Sequence, residues 1–172
     1  MQSPTETAAE DFNLVEAWLT RDTTRWIAGV MAGLFAGLVA LGLGMVMSAV
    51  SGMEIWFPIK LMATIILGST ATELGPQLGA ILVGFVLFEA ICAFWGFVYA
   101  QFVRTNQLGA LLAMGVVWGL FSWILTWNLF MHSFKTIMAA DISPAATFPV
   151  CIAYGVSLTV VVFFDRAMRG SR

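Results

Sequence analysis

Charged residues are scarce in this 172-residue chain: Asp, Glu, Lys and Arg make up only 10% of it, whereas 60% of its residues are hydrophobic. A typical soluble domain has about 25% charged residues, so this composition excludes a soluble protein and predicts an integral membrane protein. The length allows one membrane bundle and no separate soluble domain. A formal net charge of −2 offers no basic surface, and we therefore exclude nucleic acid as a partner.

Residues that bind metals or catalyse reactions are equally few. The chain has one histidine, His132, and two cysteines, Cys92 and Cys151, both within apolar runs. A single histidine excludes bis-histidine haem ligation within the chain, and the two cysteines form neither a disulfide framework nor a zinc or iron–sulfur spacing. No nucleophile–base pair, phosphate loop or metal-hydrolase motif is present. The sequence therefore predicts no enzyme, no metal site and no cofactor.

What the sequence does contain is a set of four apolar stretches long enough to cross a bilayer as helices. They cover about residues 26–50, 76–102, 108–131 and 148–164. The fourth is near the lower limit of length, and Pro144 is expected to break any helix in the preceding loop. The predicted fold is an all-α polytopic membrane protein whose four transmembrane helices form one bundle over residues 26–165.

Three shorter segments flank or interrupt the spans. Residues 1–25 show an amphipathic pattern typical of a cytoplasmic helix at the membrane surface or against another subunit. Residues 59–71 contain an apolar run too short to cross, so a re-entrant or surface-lying helix is expected in that external loop. Residues 166–172 form a basic cytoplasmic tail.

The distribution of Lys and Arg in the loops predicts the orientation of the bundle. With four spans, the side that carries both termini holds six of these cations, and the other side holds Lys60 and Lys135. The six are Arg21, Arg25, Arg104, Arg166, Arg169 and Arg172. We therefore expect a bacterial cytoplasmic membrane protein with both termini in the cytoplasm.

The first span carries glycines at every fourth position, each preceded by alanine: Gly29, Gly33 and Gly37. Such a face lets another backbone approach closely, which is a main source of helix association in lipid. The third span has a shorter version in Gly115 and Gly119. These five glycines are the predicted helix-packing positions.

A weak internal similarity relates the two external connections, 59–63 and 134–138. Each places a lysine beside apolar residues, and each is followed by a proline before the next span. Two parallel hairpins from an ancient duplication would explain this similarity, and chance would explain it equally well.

Several stretches together give the chain a family resemblance. They are the AGxxAG repeat of the first span, the short segment LMATIILG, the span GFVLFEAICAFWGFVYA, and AYGVSLTVVVFF before a basic tail. In this order they resemble the YagU-like families, small bacterial four-helix membrane proteins of unknown function. The resemblance implies a four-helix fold and no activity. Histidines expected near the last two spans of such proteins are absent, and Tyr154 stands in the fourth span instead.

Glu89 is the one ionisable residue in the second span, near its middle. A carboxyl at that depth costs at least ~2.5 kcal/mol, so it should face protein or water. It could be a proton or cation site. Alternatively it could be a neutral carboxyl that donates a hydrogen bond inside the bundle, and this is the interpretation we favour.

Three tryptophans make the third span aromatic: Trp118, Trp123 and Trp127. They are candidates for contact with a pigment or with another subunit, although tryptophan near a membrane boundary is usually an anchor.

Two functions remain open. The chain could be a non-catalytic accessory subunit of a larger bacterial membrane complex, of respiratory or electron-transfer type, with other membrane subunits and lipids as partners. Alternatively it could be a small transporter or ion-conducting homo-oligomer that uses Glu89.

Overall fold

The computed structural model describes residues 22–73, 75–103, 105, 107–130 and 144–170, and in this part of the chain every regular element is helical. Helices α1 (Thr23–Val50), α2 (Phe57–Leu67), α3 (Leu78–Phe102) and α4 (Leu108–Leu125) come first; a 3₁₀ turn, Gly68–Thr72, follows α2, and a π turn, Thr126–Phe130, continues α4. Helix α5 (Pro144–Ser157) runs through a 3₁₀ turn, Leu158–Val160, into α6 (Val161–Gly170).

Within the described residues, four helical segments are long and apolar enough to cross a membrane: Thr23–Val50, Leu78–Phe102, Leu108–Asn128 and Pro144–Gly170. This confirms the predicted all-α, four-helix polytopic fold. Their inner faces are lined mainly by alanine, glycine and aliphatic residues. Ala28, Ala32 and Ala36 are fully buried at the centre of the bundle.

The fourth span is longer than the sequence predicted. Helix α5 covers Pro144–Ser157, so residues 144–147, which the sequence placed in the preceding loop, are helical. That Pro144 breaks a helix in this loop stays a prediction, because residues 131–143 lie outside the described residues. Proline fits the first turn of a helix because the N–H that it lacks would have no partner there. At the other end the helix continues to Gly170, so residues 166–170 of the predicted tail are helical.

The short apolar run after the first span forms α2, which packs against α3, and its Lys60 is almost completely buried. Nζ of Lys60 donates to Oε2 of Glu54 at 2.7 Å and to the carbonyl oxygens of Glu73 (2.6 Å) and Gly75 (3.0 Å). All three ammonium protons therefore have acceptors. Lys60 was counted above as a loop charge. In the structure it bonds to the segment before α2 and to the segment after it, and so links the two ends of the connection between α1 and α3.

A second charged cluster links α1, α6 and the end of α3 at the opposite end of the bundle. Arg25, at the start of α1, donates to Oδ2 of Asp165 on α6 at 3.2 Å and to the carbonyl oxygen of Val103, just after α3, at 2.6 Å. Arg169 bonds to Asp165 at 3.1 Å and also to Asp22. Asp22 caps α1, accepting from the backbone N–H of Arg25 at 3.2 Å.

Several predicted features lie outside the described residues. They are the amphipathic segment before residue 22, the charged positions Arg21, Arg104, Lys135 and Arg172, the residue His132, and the second connection compared above, 134–138.

Candidate functional site

The glycines of the first span bring the backbone of α1 directly onto α3. A methyl group at Gly29 would lie 2.7 Å from the carbonyl oxygen of Gly96, and one at Gly33 would lie 3.0 Å from Cα of Ala93. A methyl at Gly37 would lie 2.9 Å from Cβ of Cys92. Distances this short leave no room for a side chain, so the two helices meet through their backbones.

Helices α4 and α5 meet in the same way. A methyl group at Gly115 would lie 2.7 Å from the carbonyl oxygen of Gly155, and one at Gly119 would lie 2.8 Å from the carbonyl oxygen of Cys151. Gly155 was not among the predicted packing positions. Its only signal in the sequence is a single small residue in an aliphatic span, which does not reveal the facing helix.

The two pairs of helices share one contact geometry. Gly29 and Gly33 correspond to Gly115 and Gly119, each 86 positions later in the chain. On the second helix of each pair, Cys92 and Gly96 correspond to Cys151 and Gly155, each 59 positions later. In both pairs the glycine of the second helix faces the two glycines of the first. We define α1 with α3 as hairpin 1 and α4 with α5 as hairpin 2.

This correspondence is a separate observation from the weak similarity of the two connections, which stays a prediction because 134–138 lies outside the described residues. Matching glycines on both helices of each hairpin is a geometric agreement that apolar composition alone does not require. Such repeats are common in membrane proteins, in which binding sites tend to lie between the two halves.

Glu89 lies within hairpin 1, with its side chain against α1. A methyl group at Gly37 would lie 2.9 Å from Oε2 and 3.0 Å from Oε1 of Glu89. The residue is 7% exposed, and neither oxygen has a hydrogen-bond partner among the described residues. The expected hydrogen bond to a carbonyl or hydroxyl group is therefore not present in this part of the chain.

Hairpin 2 has different residues at the positions that correspond to Gly37 and Glu89. Under the same correspondence, Gly37 matches Trp123 and Glu89 matches Phe148. Those two rings pack edge to face, with centroids 5.5 Å apart. The contact between the Glu89 carboxyl and Gly37 in hairpin 1 is thus replaced by the contact between two aromatic rings in hairpin 2. Closing a hairpin of this kind does not require an acid at that position.

The three tryptophans of the third span all make contacts within the chain. Trp118 packs on Trp95 and Tyr99 of α3, with centroids 6.0 and 5.6 Å away. The indole N–H of Trp123 donates to the carbonyl oxygen of Pro144 at 3.1 Å, and that of Trp127 to Oγ1 of Thr147 at 2.7 Å. Trp118 thus links the two hairpins, whereas the other two tie α4 and its π turn to α5.

A cavity of about 260 Å³ lies between the two hairpins and under α2. Its wall includes four pairs of corresponding residues, one from α3 and one from α5 in each pair. They are Phe88 with Thr147, Ile91 with Val150, Cys92 with Cys151, and Trp95 with Tyr154. Matched positions of the repeat therefore face one shared space. Glu89 is not part of this wall.

Comparison of the chain with family models, with curated proteins and with solved structures finds no match. The resemblance to the YagU-like families stays a prediction.

Proposed function

We propose that the protein is a non-catalytic accessory subunit of a larger bacterial membrane complex, located in the cytoplasmic membrane with both termini in the cytoplasm. The observation that supports this most strongly is the backbone-to-backbone packing of both hairpins. This packing uses the inner faces of the helices for contacts within each hairpin. The wide apolar outer faces then remain for contact with lipids and other membrane subunits.

We infer a complex of respiratory or electron-transfer type by analogy, because small membrane subunits without catalytic groups are frequent in such assemblies. The orientation is supported by the charged cluster at one end of the bundle. Arg25 and Arg169 both pair with Asp165 at that end, and Arg166 lies on the same helix as Arg169, whereas Lys60 is the cation that the described residues place at the other end. Cationic residues concentrate on the cytoplasmic side of membrane proteins.

Site-specific photocrosslinking in native membranes tests the proposal. A photoreactive residue at Leu82 on α3 or Val117 on α4, which are 64% and 58% exposed, should crosslink to a discrete polypeptide larger than this chain. The same residue at Tyr99, which is fully buried and of similar size, is the matched control and should give no intermolecular product. Crosslinks to lipid alone from positions on every outer face would contradict the proposal.

A second candidate is a small transporter or ion-conducting homo-oligomer. The enclosed carboxyl of Glu89, with both oxygens unpartnered among the described residues, favours it because acids within membranes often carry ions. Proton or cation flux in proteoliposomes would test this candidate. Flux that is present in the wild type and absent in Glu89→Gln would establish it, since an amide does not titrate.

A further inference from the structure

The cavity between the hairpins is part of the repeated architecture. Four residue pairs of α3 and α5 that correspond under the repeat line it together, as described above, so it lies where the two similar halves meet. Protein interiors are otherwise close-packed, with few voids larger than a water molecule. An apolar cavity of about 150 Å³ is already enough to bind benzene, and this one measures about 260 Å³.

The wall of the cavity is suited to an apolar occupant. None of its described residues carries a charge. Six hydroxyl groups lie on the wall, and three of them donate within the chain: Thr126 to the carbonyl oxygen of Ser122 (2.7 Å), Thr147 to that of Pro144 (3.1 Å) and Tyr154 to that of Cys92 (2.8 Å). The other three belong to Ser48, Ser51 and Ser122. An ion or a polar ring would find few groups to replace its hydration.

The outer part of the wall is adaptable. Met47, Met53 and Met62 line it, beside Phe57 and Pro58 at the start of α2. Methionine is unbranched and polarizable, so it packs against occupants of irregular shape. A flexible hydrocarbon chain fits such a wall better than a rigid polar molecule does.

We propose that this cavity binds one hydrocarbon chain of a membrane phospholipid, with the headgroup outside the cavity. A bound chain would complete the packing between the two hairpins where their own side chains leave a space. A quinone ring is the competing apolar ligand, but its carbonyl oxygens need donors. The hydroxyl protons of Thr126, Thr147 and Tyr154 are already engaged, which leaves the serine hydroxyls of the wall, Ser48, Ser51 and Ser122, as donors for it. This inference is independent of the proposed subunit function.

Two glycines on α1 provide a matched pair of variants. Gly44 lines the cavity, and a methyl group there would lie 3.8 Å from Cβ of Pro58, which is an ordinary contact. Gly44→Leu should therefore project a side chain into the space without displacing backbone. Gly42 is exposed, is not on the cavity wall and has no atom of the described residues within 4 Å of an added methyl, so Gly42→Leu is the control. Gly44→Ala is a milder variant whose folding is not at risk.

The experiment uses the full chain in bilayers that contain a phospholipid with a photoreactive diazirine near the middle of one acyl chain. Peptides that carry the cavity-facing residues Cys92 and Cys151 should be labelled several-fold more than outward-facing positions such as Leu82. Gly44→Leu should reduce this labelling several-fold and Gly44→Ala partially, whereas Gly42→Leu should leave it unchanged. Labelling at outward-facing positions should be equal in all four proteins.

Two results would overturn the proposal. The first is labelling of the cavity wall no greater than that of the outward-facing helices. The second is equal labelling of the wall in Gly44→Leu, Gly44→Ala and Gly42→Leu. If Gly44→Leu does not fold, as judged by circular dichroism and gel filtration, Gly44→Ala alone decides between the outcomes. Competition by a short-chain quinone, but not by unlabelled phospholipid, would also reject the acyl chain and assign the cavity to a quinone.

Discussion

The carboxyl group of Glu89 lies against Gly37 of the facing helix, so close that a methyl group at Gly37 would come within 2.9 Å of Oε2. Glycine at this position is what allows an acid to fit between α1 and α3. Because neither oxygen of Glu89 has a partner among the described residues, burial of this group costs free energy that no described contact offsets. A neutral carboxyl is less costly there than a charged one.

The first prediction concerns Glu89→Leu, which replaces the unpartnered carboxyl by an apolar group of similar size. It should raise the free energy of unfolding by about 1–3 kcal/mol, the cost of a buried unsatisfied polar group. Glu89→Gln keeps a polar group in the same place and should be close to wild type. Thermal or denaturant unfolding in mixed micelles measures both. A leucine variant that is less stable than the glutamine variant would indicate a partner of Glu89 beyond the described contacts.

The second prediction concerns the contact between α1 and α3. Gly33→Leu places a bulky side chain against the backbone of Cys92 and Ala93, which cannot move aside without separating the helices. We expect a loss of about 3 kcal/mol in stability, at the upper end for overpacked interiors. Membrane insertion should be retained, since leucine is more apolar than glycine.

The control for this prediction is Gly42→Leu on the same helix, where an added methyl meets no atom within 4 Å in the part of the chain that the structure describes. It should assemble like the wild type. Detergent-resistant folding, followed by fluorescence-detected gel filtration, compares the two. Equal behaviour of Gly33→Leu and Gly42→Leu would mean that the glycine face does not pack against α3.

The sequence was sufficient to predict the four spans, because mean hydropathy over a long window directly reflects the burial of a helix in lipid. It was also sufficient to mark Gly33 and Gly119 as packing positions, since a repeat of small residues four apart defines one helix face. The sequence was not sufficient to predict which helices contact those faces. Gly155 and the role of Lys60 depend on residues that are distant in the chain, and no local pattern records such contacts.

Two further differences have specific physical reasons. Proline both ends and begins helices, so Pro144 could be assigned only once the helix that follows it was known. The hydrogen-bond state of Glu89 depends on the side chains of neighbouring helices at the same depth, and span boundaries alone do not give that register.

The third prediction concerns Lys60, which holds the connection between α1 and α3 together. Lys60→Met leaves Glu54 without its cation and the carbonyl oxygens of Glu73 and Gly75 without a donor. We expect a loss of about 3 kcal/mol, near the lower end for breaking a buried ion pair, because Glu54 is partly exposed. Hydrogen exchange should accelerate mainly over residues 57–73.

The matched variant here is Glu54→Gln, which keeps an acceptor near Nζ and preserves both carbonyl contacts. It should cost under about 1 kcal/mol. If Lys60→Met exchanged no faster than Glu54→Gln over residues 57–73, the lysine would not be what fastens this connection.

The fourth prediction concerns the acid sensitivity of the other end of the bundle. Partial burial raises the pKa of the Asp22 carboxyl, but the hydrogen bonds from Arg169 and from the backbone N–H of Arg25 outweigh it, and the pKa lies below the ordinary value of 3.8. A lowered folded-state pKa means that the carboxylate stabilises the folded protein above the unfolded pKa. This stabilisation is lost as the pH falls through the folded value.

The stability difference between the wild type and Asp22→Asn should therefore be constant above about pH 5 and should shrink as the pH falls below the ordinary pKa of 3.8. Its size should be small, because the Asp22 side chain is 44% exposed and solvent screens it. Unfolding curves across this pH range measure the difference. A difference that grows on acidification would show that Asp22 does not stabilise this end through its charge.

The central claim, that this chain acts as a subunit of a larger assembly, is tested most directly by the composition of the particle extracted from native membranes. The chain should be extracted with its surrounding lipid in copolymer discs and purified through a terminal tag, and the mass and stoichiometry of the particle should be measured by native mass spectrometry. Our account predicts a particle in which this chain is present with larger polypeptides at a constant ratio. A particle that contains only this chain, as a monomer or as a homo-oligomer, would contradict it.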